Sequence, residues 1–480
     1  MNNEKLTAIR AVEENAHLVR TAAQKVWEYA ELSLQEERSA EVFCEICEAQ
    51  GFTVTRGVCD IPTAFTASYG SGRPVIGILA EYDALSGLSQ KGGSLVQEEV
   101  VPGGCGHGCG HNLLGAGALA AALGVKAWLE ETKNSGTVIL FGCPGEEGGA
   151  AKAFMARAEL WRTIDAALTW HPDDANEVVT GSTNACIQVQ YKFHGVSSHA
   201  AGAPEKGRSA LDAVELMNIG VQFLREHMGD RCRVHYAITD GGGRSPNVVQ
   251  STATVLYMVR SDKVAEAVAL QKRVDKIAEG AALMTETTYD RLFIDGLAET
   301  IPNHTLERLL QKNFEEVGVL SHTEEELAFA DALAQTYPGS DAVPGTGSAY
   351  EEDYGDLTAK LQKDCGHKMN DFLLPLFTGN SFNPGSSDVG DVSWQTPAGQ
   401  IHVAAWPNGC PGHSWQNVSC AGSEMGVKAA LHAGKVLSCA AIDLMTQPET
   451  LAQAREEFEK ATKAGYTCPI PPEAVPVVPD

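Results

Sequence analysis

Ten residues, 103–112, read GGCGHGCGHN and contain two cysteines and two histidines among five glycines. Thiolate and imidazole are ligands that zinc prefers, and glycine lets the backbone turn sharply around a bound ion. Cys109 and His111 are two positions apart, so both could reach one metal or two adjacent metals. A predicted helix starts at His111, and a helix N-terminus favours a thiolate. A glycine-rich turn with incidental polar residues remains the alternative for this segment.

A pair of carboxylates, Glu146 and Glu147, follows the apolar run VILFG in the segment GCPGEEGGA. Adjacent side chains on an extended backbone point in different directions, so one could bind a metal while the other faces a water molecule. A metal lowers the pKa of its water to about 7, and a nearby carboxylate can then accept the proton. Such a pair is more often solvated surface, but its place after a predicted strand favours a hydrolytic site.

Two histidines have the same placement beside predicted elements. His171 follows the apolar run IDAALTW, and His413 precedes a helix in NGCPGHSWQN. Either could be structural on its own. Together with Cys109, His111 and Glu147 they make five ligands, more than one tetrahedral zinc takes from a protein, so we expect a two-metal site with a bridging ligand.

Composition limits the class of protein. The 480 residues exceed one hydrophobic core and predict two or three domains. The net charge of −26 argues against nucleic-acid binding. The N-terminus lacks a signal-peptide pattern, and the apolar run 113–125 is short for a membrane span. Thirteen scattered cysteines suggest reduced thiols rather than a disulfide framework, so the expected location is the cytoplasm.

Strand-like and helix-like runs alternate along residues 1–186, which predicts an α/β catalytic domain with a mixed, largely parallel sheet flanked by helices. Residues 187–300 read as β-α-β-β-α and predict an inserted α+β domain, after which the α/β pattern resumes over 301–480. We expect a surface loop over 331–370 and an extended, proline-rich arm over 469–480. Cys44 and Cys47 form a C-x-x-C that an amphipathic helix explains better than redox chemistry.

The chain resembles the M20 metallopeptidases, specifically their amidohydrolase branch. The matching segments occur in family order over nearly the whole sequence, and they include AEYDAL, HGCGHNLLGAGALAAA, GCPGEEGGAAKAFM, WHP, GVSSHAAGAPEKGRSALDAVELMN, PNVVQ and GHSWQN. The resemblance implies an M20-type catalytic domain with an inserted lid and dimerisation domain. It also implies two divalent metal ions per subunit, zinc or manganese.

Residue roles follow from the resemblance position by position. Glu146 would be the general base. Asp83 would be a carboxylate behind the ligands that orients the site. It leaves open whether Glu81, which stands where other branches have a histidine, touches metal. Cys105 and His107 are expected to lie in the loop or behind the ligands. The implied metal ligands are Cys109 as the bridge, His111, Glu147, His171 and His413.

The inserted domain carries the remaining candidates. His199 matches a residue that reaches from one subunit toward the other's active site, where a donor stabilises the oxyanion. Asn247 and Arg260 match positions that contact substrate, and Lys206 and Arg208 are weaker candidates for binding a substrate carboxylate. The expected partner is a second copy in a homodimer or a related chain in a heterodimer.

The expected activity is hydrolysis of N-acyl amino acids, with p-aminobenzoyl-glutamate as the specific expectation; another N-acyl amino acid or a dipeptide is an alternative substrate. One rival hypothesis is a metal-binding subunit with little activity alone. Another is a redox or iron-sulfur protein, which would need four clustered thiolates.

Overall fold

The computed structural model describes residues 3–345, 352–377 and 381–478. The helices are α1 Asn3–Glu14, α2 Ala16–Tyr29, α3 Glu37–Ala49, α4 His111–Thr132, α5 Ala151–Arg157, α6 Ala210–Leu224, α7 Val264–Thr285, α8 His304–Val317, α9 Glu324–Leu333, α10 Glu352–Cys365, α11 Val389–Ser393, α12 Trp415–Ala421, α13 Glu424–Thr446 and α14 Pro448–Ala461. The strands are β1 Thr53–Arg56, β2 Phe65–Ser71, β3 Val75–Ala80, β4 Gly136–Gly142, β5 Ala166–Asp173, β6 Glu177–Val178, β7 Ser182–Thr183, β8 Ala185–His194, β9 Arg233–Asp240, β10 Thr252–Ser261, β11 Thr288–Leu297, β12 Phe382–Asn383 and β13 Ala398–Ala404.

A seven-stranded sheet forms the centre of the larger domain, in the order β1-β2-β4-β3-β5-β13-β6. The four inner strands β4, β3, β5 and β13 are mutually parallel, and antiparallel strands complete both edges. Alternate side chains of β3 enter two different hydrophobic clusters: Ile76 and Ile78 face the cluster around α4, while Leu79 joins the cluster around α5. Helices therefore cover both faces, as predicted for a mixed α/β fold.

Helix α4 is the central helix of the core. It packs against α1, α2 and α13 as well as β3, β4 and β5, which explains why its sequence is apolar all round. Gly117 permits this packing, because a Cβ there would lie 2.5 Å from Nε1 of Trp170. Among the described residues α4 is also the one helix long and apolar enough to span a membrane, but 89% of its most apolar window is buried inside the protein.

The inserted segment forms a second sheet of four antiparallel strands, ordered β11-β8-β10-β9. Helices α6 and α7 pack together against β8 and β10. The β-α-β-β-α pattern matched β8 to α7 but omitted β11, whose first residues are mostly exposed and lack a regular alternation. We call this unit, residues 185–297, the lid domain, after the domain that the family resemblance implies at this place in the chain.

Two other predictions about local structure can be compared with the fold. The loop prediction for 331–370 is wrong over α10, because a polar segment in that region folds as a helix; residues 346–351 lie outside the described part. The C-terminal segment 469–478 forms no helix or strand, but it turns at 471–474, where the N–H of Ala474 donates to the carbonyl of Pro471, so it is not extended throughout. Arg157 holds it by donating to the carbonyls of Pro471 and Ala474. Cys44 and Cys47 are both buried on α3, which confirms the amphipathic helix.

Candidate active site

The candidate site lies at the carboxyl ends of the four parallel strands. Glu81 and Asp83 follow β3, Glu146 and Glu147 lie in the turn after β4, and His171 lies near the end of β5. Parallel strands bring their carboxyl ends to the same edge of a sheet, where ligands bind in α/β folds. The topology thus explains why residues distant in sequence meet here.

Asp83 organises the buried side of the site. Its carboxylate accepts a hydrogen bond from His111 Nδ1 at 2.7 Å, from Ser33 Oγ at 2.9 Å and from the backbone N–H of Glu147 at 2.9 Å. Burial works against its charge, but the His111 imidazole outweighs it and lowers the pKa of Asp83 to about 2. With Nδ1 engaged in this bond, His111 presents Nε2 to the site, as metal-binding histidines do.

The five predicted ligands come together as two groups that share a thiol. Cys109, His111 and His171 form one group, and Cys109, Glu147 and His413 form the other, with the ligand atoms of each group within 4.8 Å of one another. The Sγ of Cys109 lies 3.3 Å from His171 Nε2, and His413 Nε2 lies 3.3 Å from Glu147 Oε1. The arrangement has the form of two metal positions bridged by one sulfur.

The chemistry of these donors fits metal binding. His111 Nε2 and Glu147 Oε1 are buried and make no hydrogen bond of good geometry in the described part of the chain, although buried polar atoms are normally satisfied. Each has a polar contact at 3.3 Å, to Glu81 and to His413 respectively. Burial also raises the pKa of the Cys109 thiol, so a bound cation must displace its proton. A cation would satisfy both orphaned atoms and compensate the sulfur's charge.

Glu146 lies beside these groups rather than within them. Its carboxylate forms a further group with Glu81 and His111, again with all ligand atoms within 4.8 Å. Burial, followed by the charges of Glu81 and Glu147, raises the pKa of Glu146 well above its usual range. Such an environment favours a carboxyl group that accepts and returns a proton.

Sequence reasoning missed a buried lysine at the back of the site. Lys152 is fully buried, and its Nζ lies 2.7 Å from Glu81 and 2.5 Å from Asp388. The other oxygen of Glu81 lies 3.3 Å from His111 Nε2, so Glu81 faces both the lysine and the ligand cluster. The available signal was a single lysine inside the otherwise apolar run AAKAFM.

The glycines of the opening segment have a structural reason. Gly110 has φ of +75°, and a Cβ there would lie 2.7 Å from Pro172 and 3.1 Å from Trp406. The backbone between Cys109 and His111 therefore needs both a left-handed conformation and close packing.

The first C-x-H pair of that segment lies outside the candidate ligand cluster. Cys105 and His107 do not join the metal groups found in the described residues. His107 is buried with Nε2 2.9 Å from the carbonyl of Val26, and its burial lowers its pKa to about 4. A neutral imidazole held by a backbone carbonyl has a structural role.

The lid candidates lie in the inserted domain. The Nδ1 of His199 accepts hydrogen bonds from two backbone N–H groups of its own loop, and Asn247 and Lys206 are exposed. Arg208 pairs with Glu286 at 2.7 Å within the lid. Arg260 instead contacts the larger domain, donating to Ser386 Oγ at 2.9 Å. None of them belongs to the metal groups found in the described residues.

A cavity of about 180 Å³ lies beside the site. His402, which lines it, is the register partner of His171 on the neighbouring parallel strand, and the two ring centres are 6.1 Å apart. Asp173 and Glu177 each lie 3.0 Å from His402 Nδ1. Residues from 300–303 and 381–387 also line the cavity, so it is a space next to the ligand cluster in which part of a substrate could fit.

Comparison with known proteins identifies relatives of the whole chain and of its fold. The B component of the p-aminobenzoyl-glutamate hydrolase of Escherichia coli (strain K12) is 41% identical over 473 residues, which cover 97% of each chain. The crystal structure of an aminobenzoyl-glutamate utilization protein from Klebsiella pneumoniae has a TM-score of 0.57 at 16% identity, covering 89% of this chain and 96% of that one. A Bacillus subtilis protein described as a dinuclear metal binding peptidase from the M20 family has a TM-score of 0.52 at 16% identity. The match covers 90% of this chain and 99% of that one.

The family match and the Escherichia coli relative make this chain a metal-dependent amidohydrolase. The sequence model of peptidase family M20/M25/M40 matches residues 77–362, more than half of the chain. The chain belongs to peptidase family M20/M25/M40, as the resemblance predicted.

Proposed function

We propose that the protein hydrolyses the amide bond of p-aminobenzoyl-glutamate, releasing p-aminobenzoate and glutamate. The observation that carries the proposal is the pair of ligand groups joined at Cys109, with Glu146 beside them. The similarity to the Escherichia coli hydrolase component over 97% of both chains supports this substrate. Two divalent ions, zinc or manganese, bound there would polarise the amide carbonyl and acidify a water molecule.

The protein's own residues account for the remaining steps. His111, oriented by Asp83, and the other four ligands hold the centre in position. Glu146 takes a proton from the attacking water as its oxygen bonds to the carbonyl carbon. When the carbon–nitrogen bond breaks, Glu146 delivers that proton to the leaving nitrogen, which departs as an amine. His199 from a partner subunit donates to the developing oxyanion.

Substrate preference tests the proposal directly. Protein reconstituted with zinc or manganese should cleave p-aminobenzoyl-glutamate with a higher kcat/KM than N-acyl aspartate, N-acyl conjugates of apolar amino acids or dipeptides. Both products should form in equal amounts when measured by chromatography. The same preparation of a Glu146→Gln variant serves as the control for contaminating hydrolases.

A different preference would redirect the proposal. If an N-acyl aspartate or a dipeptide is cleaved faster, the enzyme class stands and the substrate changes. If reconstituted protein cleaves nothing in the panel, the hydrolase proposal for the isolated chain fails. A metal-binding subunit that needs a second chain would then be the better description, and adding such a chain should restore turnover.

We further propose that the lid domain pairs with a second copy of this chain or with a related chain. Strand β9 is an edge strand of the lid sheet and exposes Tyr236 and Ile238, while α6 exposes Ile219 and Phe223. An edge strand with exposed apolar side chains is suited to pair with another chain. The Escherichia coli relative is itself named as one subunit of a hydrolase, which supports a heterodimer as the alternative.

Oligomeric state tests this surface. A Phe223→Asp, Ile238→Asp double variant should run as a monomer in light scattering and lose most turnover, because His199 could no longer reach a neighbouring site. Val475, equally apolar and 68% exposed in the C-terminal segment, provides the control variant Val475→Asp, which should stay a dimer. A double variant that remains dimeric would contradict the proposed interface.

We also propose a cytoplasmic location. All thirteen cysteines are free, which is the state expected in a reducing compartment.

A further inference from the structure

We propose that Cys365, His367 and Asp371 form a third metal site, a zinc clip separate from the catalytic centre. Their ligand atoms lie within 4.8 Å of one another. The three residues lie at the end of α10 and in the segment just after it, and they share no residue with the five-ligand cluster. Thiolate, imidazole and carboxylate are all zinc ligands.

The distances within the cluster are equal to, or a few tenths of an ångström shorter than, the ligand spacing around one zinc ion. Cys365 Sγ lies 3.6 Å from His367 Nε2 and 3.2 Å from Asp371 Oδ1, and His367 Nε2 lies 3.2 Å from Asp371 Oδ2. A tetrahedral zinc with ordinary bond lengths separates its ligand atoms by roughly 3.4–3.6 Å. Small adjustments of these side chains would therefore place all three around a single ion.

The surroundings favour a bound cation with one coordination position open to solvent. The side chains of His367 and Asp371 are 16% and 35% exposed, so an ion and a water molecule can reach them. Lys368, the nearest cationic neighbour in sequence, is paired with Asp341 and donates to the Ser340 carbonyl at 3.2 Å. Its charge is thus engaged elsewhere. The Cys365 thiol would release its proton to solvent on binding zinc.

The site would fasten a segment that supports the catalytic loops. Asn370, inside the clip, donates to the carbonyl of Asp174 at 2.7 Å and to Asn408 Oδ1 at 2.7 Å. Asp174 follows His171 by three residues, and its carboxylate accepts from the N–H of Gly409 in the loop leading to His413. A clip at 365–371 would therefore fix the segment that contacts the backbone after His171 and the loop before His413, which is a structural role.

Metal content separates this site from the catalytic one. Protein equilibrated with zinc and desalted should carry three ions per chain by mass spectrometry of the metal, and Cys365→Ser protein should carry two. Cys109→Ser protein should keep only the ion at the clip. Cys59, another half-buried free thiol, gives the matched control Cys59→Ser, which should keep three.

A second test is spectroscopic and does not depend on counting the metal ions per chain. Cobalt bound to Cys109→Ser protein should show a thiolate-to-metal charge-transfer band, and the band should vanish in Cys109→Ser, Cys365→Ser protein. If Cys365→Ser misfolds, Asp371→Asn should still bind the clip metal at least tenfold more weakly than the wild type.

One result would overturn the clip, and another would count against the catalytic centre. Equal zinc content in wild-type, Cys365→Ser and Asp371→Asn proteins would show a hydrogen-bonded cluster without metal and overturn the clip. Loss of metal from Cys365→Ser alone, with none lost from Cys109→Ser, would support the clip and count against the catalytic centre.

Discussion

Replacing Glu146 by glutamine is expected to lower kcat by about 10²–10⁴-fold, the usual contribution of a general acid–base group. Glutamine keeps the size of the side chain but cannot accept the proton from the attacking water. Because Glu146 lies beside the two ligand groups and belongs to neither of them, the variant should keep its catalytic metals. Steady-state kinetics and metal analysis on the same sample measure both expectations.

The control for Glu146 is Glu130→Gln, which makes the same chemical change on the surface near the end of α4, where Glu130 pairs with Lys126. This variant should have wild-type turnover. Hydrolysis by Glu146→Gln within threefold of the wild type would remove Glu146 from the mechanism. Loss of metal together with activity would mean that Glu146 is a ligand.

Replacing Lys152 by methionine should destabilise the protein by about 3–5 kcal/mol, the range for breaking a buried ion pair. The change leaves Glu81 and Asp388 buried without their shared cation, while methionine fills nearly the same volume. Urea unfolding of metal-free proteins measures the loss without any contribution from metal binding. Lys91→Met, which breaks a largely exposed pair with Glu98, should cost at most about 1 kcal/mol.

The cost of the Lys152 change should depend on pH in a defined direction. Lys152 lowers the pKa of Glu81 and works against the burial that raises the pKa of Asp388, so its removal should raise the folded-state pKa of both carboxyl groups. A group with a raised folded-state pKa loses stabilisation as pH rises through that value, so the deficit of the variant should grow from acidic to alkaline pH. A deficit below about 1 kcal/mol at neutral pH, the size of an exposed pair, would mean that Lys152 is not needed to neutralise these carboxylates.

The sequence predicted those parts of the fold and site in which a local pattern also determines where residues lie in the sheet. Apolar runs followed by polar residues predicted the parallel strands and the edge at which Asp83, Glu147 and His171 meet, because a strand's end is visible locally and parallel ends coincide. The division of roles between Cys109 and Cys105 needed the family resemblance, since both have the same C-x-H spacing. Of these two cysteines, Cys109 alone belongs to the candidate metal groups found in the described residues.

Other features depend on contacts that no local pattern reveals. Lys152 and Asp388 are 236 positions apart, and their pairing exists only after α5 and α11 pack together. Strand β11 has an irregular pattern because one half is exposed and the other half buried. Helix α10 is polar along much of its length, so it resembled a loop. The cluster at Cys365 was missed because it falls in the segment predicted to be that loop.

In the proposed centre Cys109 would be shared by both metal positions, so the binding of one ion would depend on the binding of the other. Each ion would add to the positive charge that keeps the sulfur deprotonated, so occupancy of one position would favour occupancy of the other. The same sharing would make both metal positions sensitive to oxidation of one sulfur atom. Oxidation of that sulfur would remove a ligand from both positions at once and inactivate the whole centre.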